Sequence, residues 1–262
     1  MIHTAVFPVA GKGTRFLPAT KSTPKEMFPI IDRPLIQYAI DEALAAGAKK
    51  LVFIISDSKL FIKNYVLDLL PKDIDCIFVN QDQPLGLGHA VLLSKEIVGD
   101  NPFYVHLVDD LIYSQEPCLK QMCSYFSKHD CSVIGVEKVQ KKETSQYGIV
   151  DINDSTNNIS NIIEKPSPDE APSDLAVVGR YILTPRIFGI LLNQGKGKDG
   201  EIQLTDAISS LLLEESVHAF PFEGIRYDCG NKLGYLKANI EYGLRNTDLG
   251  DSFLDYLKSL RI

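Results

Sequence analysis

Ala10-Gly11-Lys12-Gly13-Thr14-Arg15, with Lys25 ten residues beyond Arg15, puts two glycines, a hydroxyl and cations directly after a short apolar run. Glycine has no Cβ, so such a backbone lets N–H groups come close to a phosphate or a flat base. Arg15 and Lys25 supply the charge that a triphosphate needs. A glycine-rich turn closing a first strand is the plainer alternative. Two better-known phosphate loops are excluded by spacing: one residue separates Gly11 from Gly13, and Phe16 stands where a dinucleotide fingerprint has its third glycine. The other strong chemical cue is Asp109-Asp110, at the end of the apolar run Phe103 to Val108. Mg²⁺ is a hard ion held by one or two carboxylates plus substrate phosphates, and Asp109 is the expected ligand. Adjacent strand residues point to opposite faces, so Asp110 is expected to face away or to cap the next turn.

Three further groups carry chemistry. Gln81 ends an apolar run, and its amide both donates and accepts, as a pyrimidine edge requires. Gly86 and Gly88 then open a helix and leave room for a flat base, though a surface glutamine beside a turn accounts for the same residues. His89 is read as a capping or packing residue and not as a base. In the second half Glu164 can accept sugar hydroxyl hydrogens while Lys165 meets a phosphate. Asp228, before a tight turn that opens a helix, either completes the metal site or caps that helix.

The elements that must position these residues follow from periodicity. Strands are expected at His3 to Val9, Leu51 to Ser56, Cys76 to Asn80 and Phe103 to Val108. Helices are expected at Pro34 to Gly47, Lys59 to Leu70 and Gly86 to Val98. This alternation predicts an α/β fold: a doubly wound, mostly parallel, Rossmann-like sheet with helices on both faces, whose ligands bind at the carboxyl ends of the strands. The second half reads as a small additional β region: Cys131 to Glu137, Tyr147 to Ile152, Ile159 to Glu164 and Ala176 to Leu183, separated by polar turns. Helices return at Pro185 to Leu192, Gln203 to Leu213 and Lys232 to Arg245, with an amphipathic piece running to Ile262. One domain over 1–262 is expected, with a nucleotide-binding half to about 130, a sugar-binding half to about 230 and C-terminal helices thereafter.

Composition narrows the class. Hydrophobic residues are 45% and charged residues 23%, as in ordinary soluble proteins. A net charge of −7 argues against nucleic-acid binding, which needs a basic face. No apolar stretch is long enough to span a bilayer and no basic leader opens the chain, so a cytoplasmic protein away from membranes is expected. The five cysteines are odd in number and lack paired C-x-x-C spacing, which reads as buried thiols in a reducing compartment.

G-x-G-T-R-x-L-P (11–18) with Pro24-Lys25-Glu26-Met27 resembles the signature of the sugar-nucleotide nucleotidyltransferases. Pro34 to Tyr38, Gly86 to Val91, Val177 to Leu183, Glu201 to Ala207 and Asp228 to Tyr235 extend the resemblance across nearly the whole chain, towards the bacterial branch that acts on UTP and glucose 1-phosphate. The resemblance implies Mg²⁺ dependence, a homodimer or homotetramer, and UDP-glucose and pyrophosphate as products. It also implies that Ala10, Gly11, Gln81 and Gly86 bind the uridine with Glu26 nearby, in the loop that includes Gly13 and Thr14. Lys25 and Arg15 would hold UTP phosphates, Arg15 mostly on the departing pyrophosphate. Gly148, Glu164, Val178 and Gly179 would cradle the glucose, with Lys165 on its phosphate, and Asp109 and Asp228 would ligate the metal. A thymidylyltransferase using dTTP and a non-catalytic homologue that binds nucleotide sugar are the rival readings. One departure is the brief stretch from Leu67 to Asp75, where family members often carry an insert.

Overall fold

The computed structural model describes residues 2–153, 155–197 and 200–260. The first half runs β1 (Thr4–Pro8), the small hairpin β2 (Pro29–Ile30) and β3 (Arg33–Pro34), α1 (Leu35–Ala45), β4 (Lys50–Ile55), α2 (Leu60–Leu69), β5 (Asp75–Asn80), α3 (Leu87–Leu92), α4 (Lys95–Val98) and β6 (Phe103–His106). The second half adds β7 (Asp110–Tyr113), α5 (Cys118–His129), β8 (Ser132–Lys138), β9 (Gly148–Asn153), β10 (Asn158–Glu164), β11 (Leu175–Leu183), α6 (Arg186–Asn193), α7 (Leu204–Leu211), β12 (Val217–Pro221), β13 (Ile225–Asp228), α8 (Lys232–Arg245) and α9 (Gly250–Ser259).

Among the described residues nine strands make one sheet in the order β5-β4-β1-β6-β11-β8-β12-β10-β9. The side-chain period of two divides its faces. On β1, Ala5 and Phe7 join one core with residues of α1, α2 and α5, whereas Val6 joins the other with residues of α3, α6 and α7. Helices therefore cover both faces, and the strands of both halves share one sheet.

The parallel expectation needs correcting. β5, β4, β1 and β6 pair in parallel, as does β8 with β12, but β11 runs antiparallel to both β6 and β8, and β9 and β10 are antiparallel neighbours. Only four residues separate Asn153 from Asn158, too few for a parallel crossover, which needs a dozen or more, so β9 and β10 can only pair antiparallel. β8 to β12 extend the central sheet instead of forming a region of their own, and only β7 and β13 pair apart from it, as a two-stranded ribbon.

Two boundaries also differ, and α5, β7, β12 and β13 lie outside the expected elements. The helix expected from Gly86 to Val98 breaks at Ser94, whose Oγ donates to the Val91 carbonyl, separating α3 from α4. β6 stops at His106, so Asp109 lies in the turn after it and not on the strand. Cys118, Leu119 and Met122 lie on the buried side of α5 at helical spacing. All five thiols are free; burial pushes those of Cys76 and Cys131 up to about 11.

Candidate active site

The site lies at the carboxyl ends of β1, β5 and β6, where open α/β sheets bind ligands. After β1 the chain turns through Gly13 at φ 63°, a left-handed conformation that glycine adopts without strain. A Cβ there would lie 3.0 Å from Thr20 Cγ2, and Thr20 Oγ1 donates to the Gly13 carbonyl at 2.9 Å. Behind the loop Glu26 and Lys59 form a buried ion pair at 2.8 Å, and Lys59 Nζ donates to the Val9 carbonyl at 2.6 Å. Glu26 thus lies away from the cavity and fixes the loop through Lys59. Opposite, Gly86 takes φ 96° and ψ 178° at the head of α3, backbone space nearly closed to other residues.

Between these segments is a cavity of about 530 Å³ lined by Ala10, Gly11, Lys12, Thr14, Lys25, Gln81 and Gly86, with Asp109 and Glu201 on its far wall. The Gln81 amide nitrogen donates to the Gly86 carbonyl at 3.3 Å and lies 3.0 Å from His89 Nδ1, so His89 orients Gln81. A second cavity of about 270 Å³ adjoins it, and Asp109, Glu201, Leu87 and Leu107 belong to both. Its other walls include Arg15, Tyr147, Gly148, Glu164, Lys165, Val178, Gly179, Arg226 and Asp228. Arg15 therefore stands on the second cavity, beyond the glycine loop's own pocket.

Asp109 and Asp228 are brought together by a two-stranded ribbon. β7 and β13 pair antiparallel with Asp110 opposite Asp228, and the Cys229 N–H donates to the Asp109 carbonyl at 2.7 Å. Their carboxylates converge over Gly230: a Cβ there would lie 2.8 Å from Asp109 Oδ2 and 2.9 Å from Asp228 Oδ1. Lys25 Nζ contacts Asp109 Oδ2 at 2.5 Å. Burial opposes ionisation of Asp109, but the Lys25 ammonium, a backbone hydrogen bond and Arg15 together outweigh it and hold the carboxyl below the usual carboxylate range.

Glu164 ends β10, accepts from Thr205 Oγ1 at 2.6 Å and meets Lys165 Nζ at 3.1 Å. Lys165 itself adopts φ 46°, a left-handed conformation rare outside glycine, with its N–H donating to the Tyr147 carbonyl at 3.0 Å. Across the cavity the register of β11 shifts between Val177 and Tyr181, bending the strand at Val178 and Gly179. The Gly179 N–H donates to Asp110 Oδ2 at 2.7 Å, and a Cβ on residue 179 would lie 2.6 Å from Leu107 Cβ. Gly179→Ala should therefore lower stability by about 1–3 kcal/mol, the usual cost of overpacking, read as a lower urea midpoint at unchanged slope.

Asp110 neither faces away nor caps a turn. It is buried and paired with Arg226 at 2.5 Å as well as with Gly179. Glu201, Gln203, Thr205, Tyr147 and Arg226 are cavity residues that the sequence reading assigned no role. Glu201 to Thr205 stand in a segment already quoted for its resemblance, so a signal existed there. Arg226 lies in a stretch with no spacing cue.

A family model described as nucleotidyl transferase matches residues 5–243. The chain is 40% identical to UTP–glucose-1-phosphate uridylyltransferase 2 of Staphylococcus saprophyticus over 285 positions, covering all of this chain and 99% of that protein. It is likewise 40% identical to UTP–glucose-1-phosphate uridylyltransferase YngB of Bacillus subtilis, covering 99% of this chain and 95% of that one. The first alignment is longer than this 262-residue chain, so that relative carries stretches this chain lacks. Among solved structures it resembles a UTP-bound UGPase from Acinetobacter baumannii (TM-score 0.90, 41% identity, all of both chains). It also resembles a UDP-glucose pyrophosphorylase complexed with UDP-glucose (TM-score 0.87, 40% identity, 94% of this chain and 100% of that one). On family model, full-length identity and fold together, the chain belongs to the nucleotidyl transferase family, in the company of its UTP–glucose-1-phosphate uridylyltransferase members.

Proposed function

We propose that this chain transfers the uridylyl group of UTP to glucose 1-phosphate, giving UDP-glucose and pyrophosphate. The observation that carries the reading is the meeting of two cavities at Asp109, one beside the glycine loop and Lys25, the other beside Glu164 and Lys165. Full-length likeness to curated uridylyltransferases supports the choice of substrates.

The phosphate of glucose 1-phosphate is already a nucleophile near neutral pH, so the reaction needs no general base. Its barrier is the approach of two polyanions. Lys25 and Arg15 hold the UTP phosphates, Arg15 mostly on the departing pyrophosphate, while Lys165 holds the attacking phosphate in line with the α-phosphorus. Ala10, Gly11, Gln81 and Gly86 hold the uridine, with Gly13 and Thr14 shaping the loop beneath it. Gly148, Glu164, Val178 and Gly179 cradle the glucose. Pyrophosphate leaves and no covalent enzyme intermediate forms.

Asp109 and Asp228 are suited to Mg²⁺. Two hard oxygen donors converge over a glycine, and among the described residues no cluster of three or more His, Cys, Asp or Glu side chains offers a denser metal cage. Bound there, the ion would neutralise phosphate charge. A homodimer or homotetramer in the cytoplasm completes the proposal: α8 leaves Leu233, Leu236 and Ile240 exposed on one stripe, and no helix among the described residues is long and apolar enough to cross a membrane. The mass in solution by light scattering decides the assembly.

Mixing the protein with UTP, glucose 1-phosphate and Mg²⁺ should release pyrophosphate. Substituting dTTP should slow it. Equal or faster release with dTTP would replace this reading with thymidylyl transfer, and no release would leave a binding protein.

A further inference from the structure

Arg226 lines the second cavity, yet the proposed reaction gives it no task. Its side chain is 5% exposed. Nε contacts Asp110 Oδ1 and Nη1 contacts Glu137 Oε1, each at 2.5 Å, and the guanidinium lies 4.8 Å from the centre of the Tyr147 ring. Tyr147 in turn donates from its hydroxyl to Asp228 Oδ2 at 3.1 Å, while the Gly230 N–H donates to Asp228 Oδ1 at 2.9 Å. Both oxygens of Asp228 are thus fixed, one by backbone and one by a ring that Arg226 holds in place. The other end of the same network fixes Asp110, whose second oxygen takes the Gly179 N–H. One cation therefore connects the neighbour of Asp109, the bend of β11 and the hydroxyl that orients Asp228.

We propose that Tyr147 and Arg226 are positioning residues for the divalent-metal site: Arg226 seats the Tyr147 ring, and the Tyr147 hydroxyl aims the Asp228 carboxylate across Gly230 towards Asp109. The inference rests on Asp109 and Asp228 being the metal ligands. A carboxylate ligand free to rotate must be ordered each time the ion binds, and one already hydrogen-bonded is ordered beforehand. Loss of such an outer hydrogen bond typically lowers metal affinity by about 10- to 100-fold.

The test is a Mn²⁺ titration followed by electron paramagnetic resonance at saturating UDP-glucose, on the parent, Tyr147→Phe, Arg226→Lys and Asp228→Asn proteins. Tyr147→Phe keeps the ring and loses only the hydroxyl. It should bind Mn²⁺ about 10- to 100-fold more weakly while its melting temperature and its affinity for metal-free UTP stay at the parental values. Arg226→Lys keeps the charge but not the fork that spans Asp110 and Glu137, and should weaken Mn²⁺ in the same direction. If Asp228→Asn loses Mn²⁺ while Tyr147→Phe and Arg226→Lys bind it like the parent, the metal assignment stands and the positioning role is wrong. If Asp228→Asn binds Mn²⁺ like the parent, the metal assignment itself is wrong and the inference goes with it.

Discussion

Asp109→Asn should turn over about 10²- to 10³-fold more slowly than the parent, a loss of roughly 2.7–4 kcal/mol in barrier, by comparison with removal of one preorganised charge-stabilising group. Asparagine keeps the shape and one acceptor oxygen, so the loss reports charge. That charge has two tasks in the proposed reaction: it faces Asp228 over Gly230 and it meets Lys25 at 2.5 Å. The fold should hardly notice. Lys25 and Asp109 are part-buried, at 22% and 24% side-chain exposure, and Asp109→Asn keeps a neutral group of the same shape beside Lys25. Lys165→Ala should show a loss of the same order, with its KM for glucose 1-phosphate raised, because the proposed reaction places Lys165 on the incoming substrate and not on the leaving group. Steady-state pyrophosphate release measures both. Near-parental turnover in Asp109→Asn or Lys165→Ala would refute the assigned roles.

Arg180→Met should have the largest effect on stability, about 3–5 kcal/mol, because it strands a buried carboxylate. Arg180 is 1% exposed and forks onto Glu42 with contacts of 3.0 and 2.8 Å, while its Nη1 donates to the Leu107 carbonyl at 3.1 Å. Glu42 also accepts the Leu119 N–H at 3.0 Å and lies 3.2 Å from His106 Nε2. Burial opposes its ionisation, but Arg180 and His106 together drive its carboxyl well below the usual range. Urea unfolding monitored by circular dichroism reads the loss, and adding Glu42→Gln to Arg180→Met should recover much of it. A loss under 1 kcal/mol would mean that Glu42 finds solvent or another partner. The same cluster sets an acid limit. Burial, with Arg180 nearby, pushes the His106 imidazole down to about 4. The unfolded chain then binds a proton that the folded one refuses. This histidine's contribution is complete above its ordinary value of about 6.5 and is lost as pH falls towards 4.

The sequence by itself determined what depends on neighbouring residues. A glycine can take φ 63° at Gly13 wherever it stands, an apolar run followed by polar residues ends a strand, and the acid beyond that end lies at the ligand edge of the sheet. Hence the glycine loop, Gln81, Gly86, Asp109 and Glu164, which line the two adjoining cavities, could be singled out from local sequence alone. What only the tertiary structure decided is pairing between residues far apart in the chain. Glu42 meets Arg180, Arg226 meets Asp110 and Glu137, and Glu26 turns from the cavity to Lys59. Nothing local distinguishes these charges from solvated ones, because burial becomes favourable only once another strand or helix delivers the partner. The same holds for the sheet: periodicity announced eight of its nine strands, β12 being the exception, but their neighbours and directions followed from turn lengths and from where β11 was inserted.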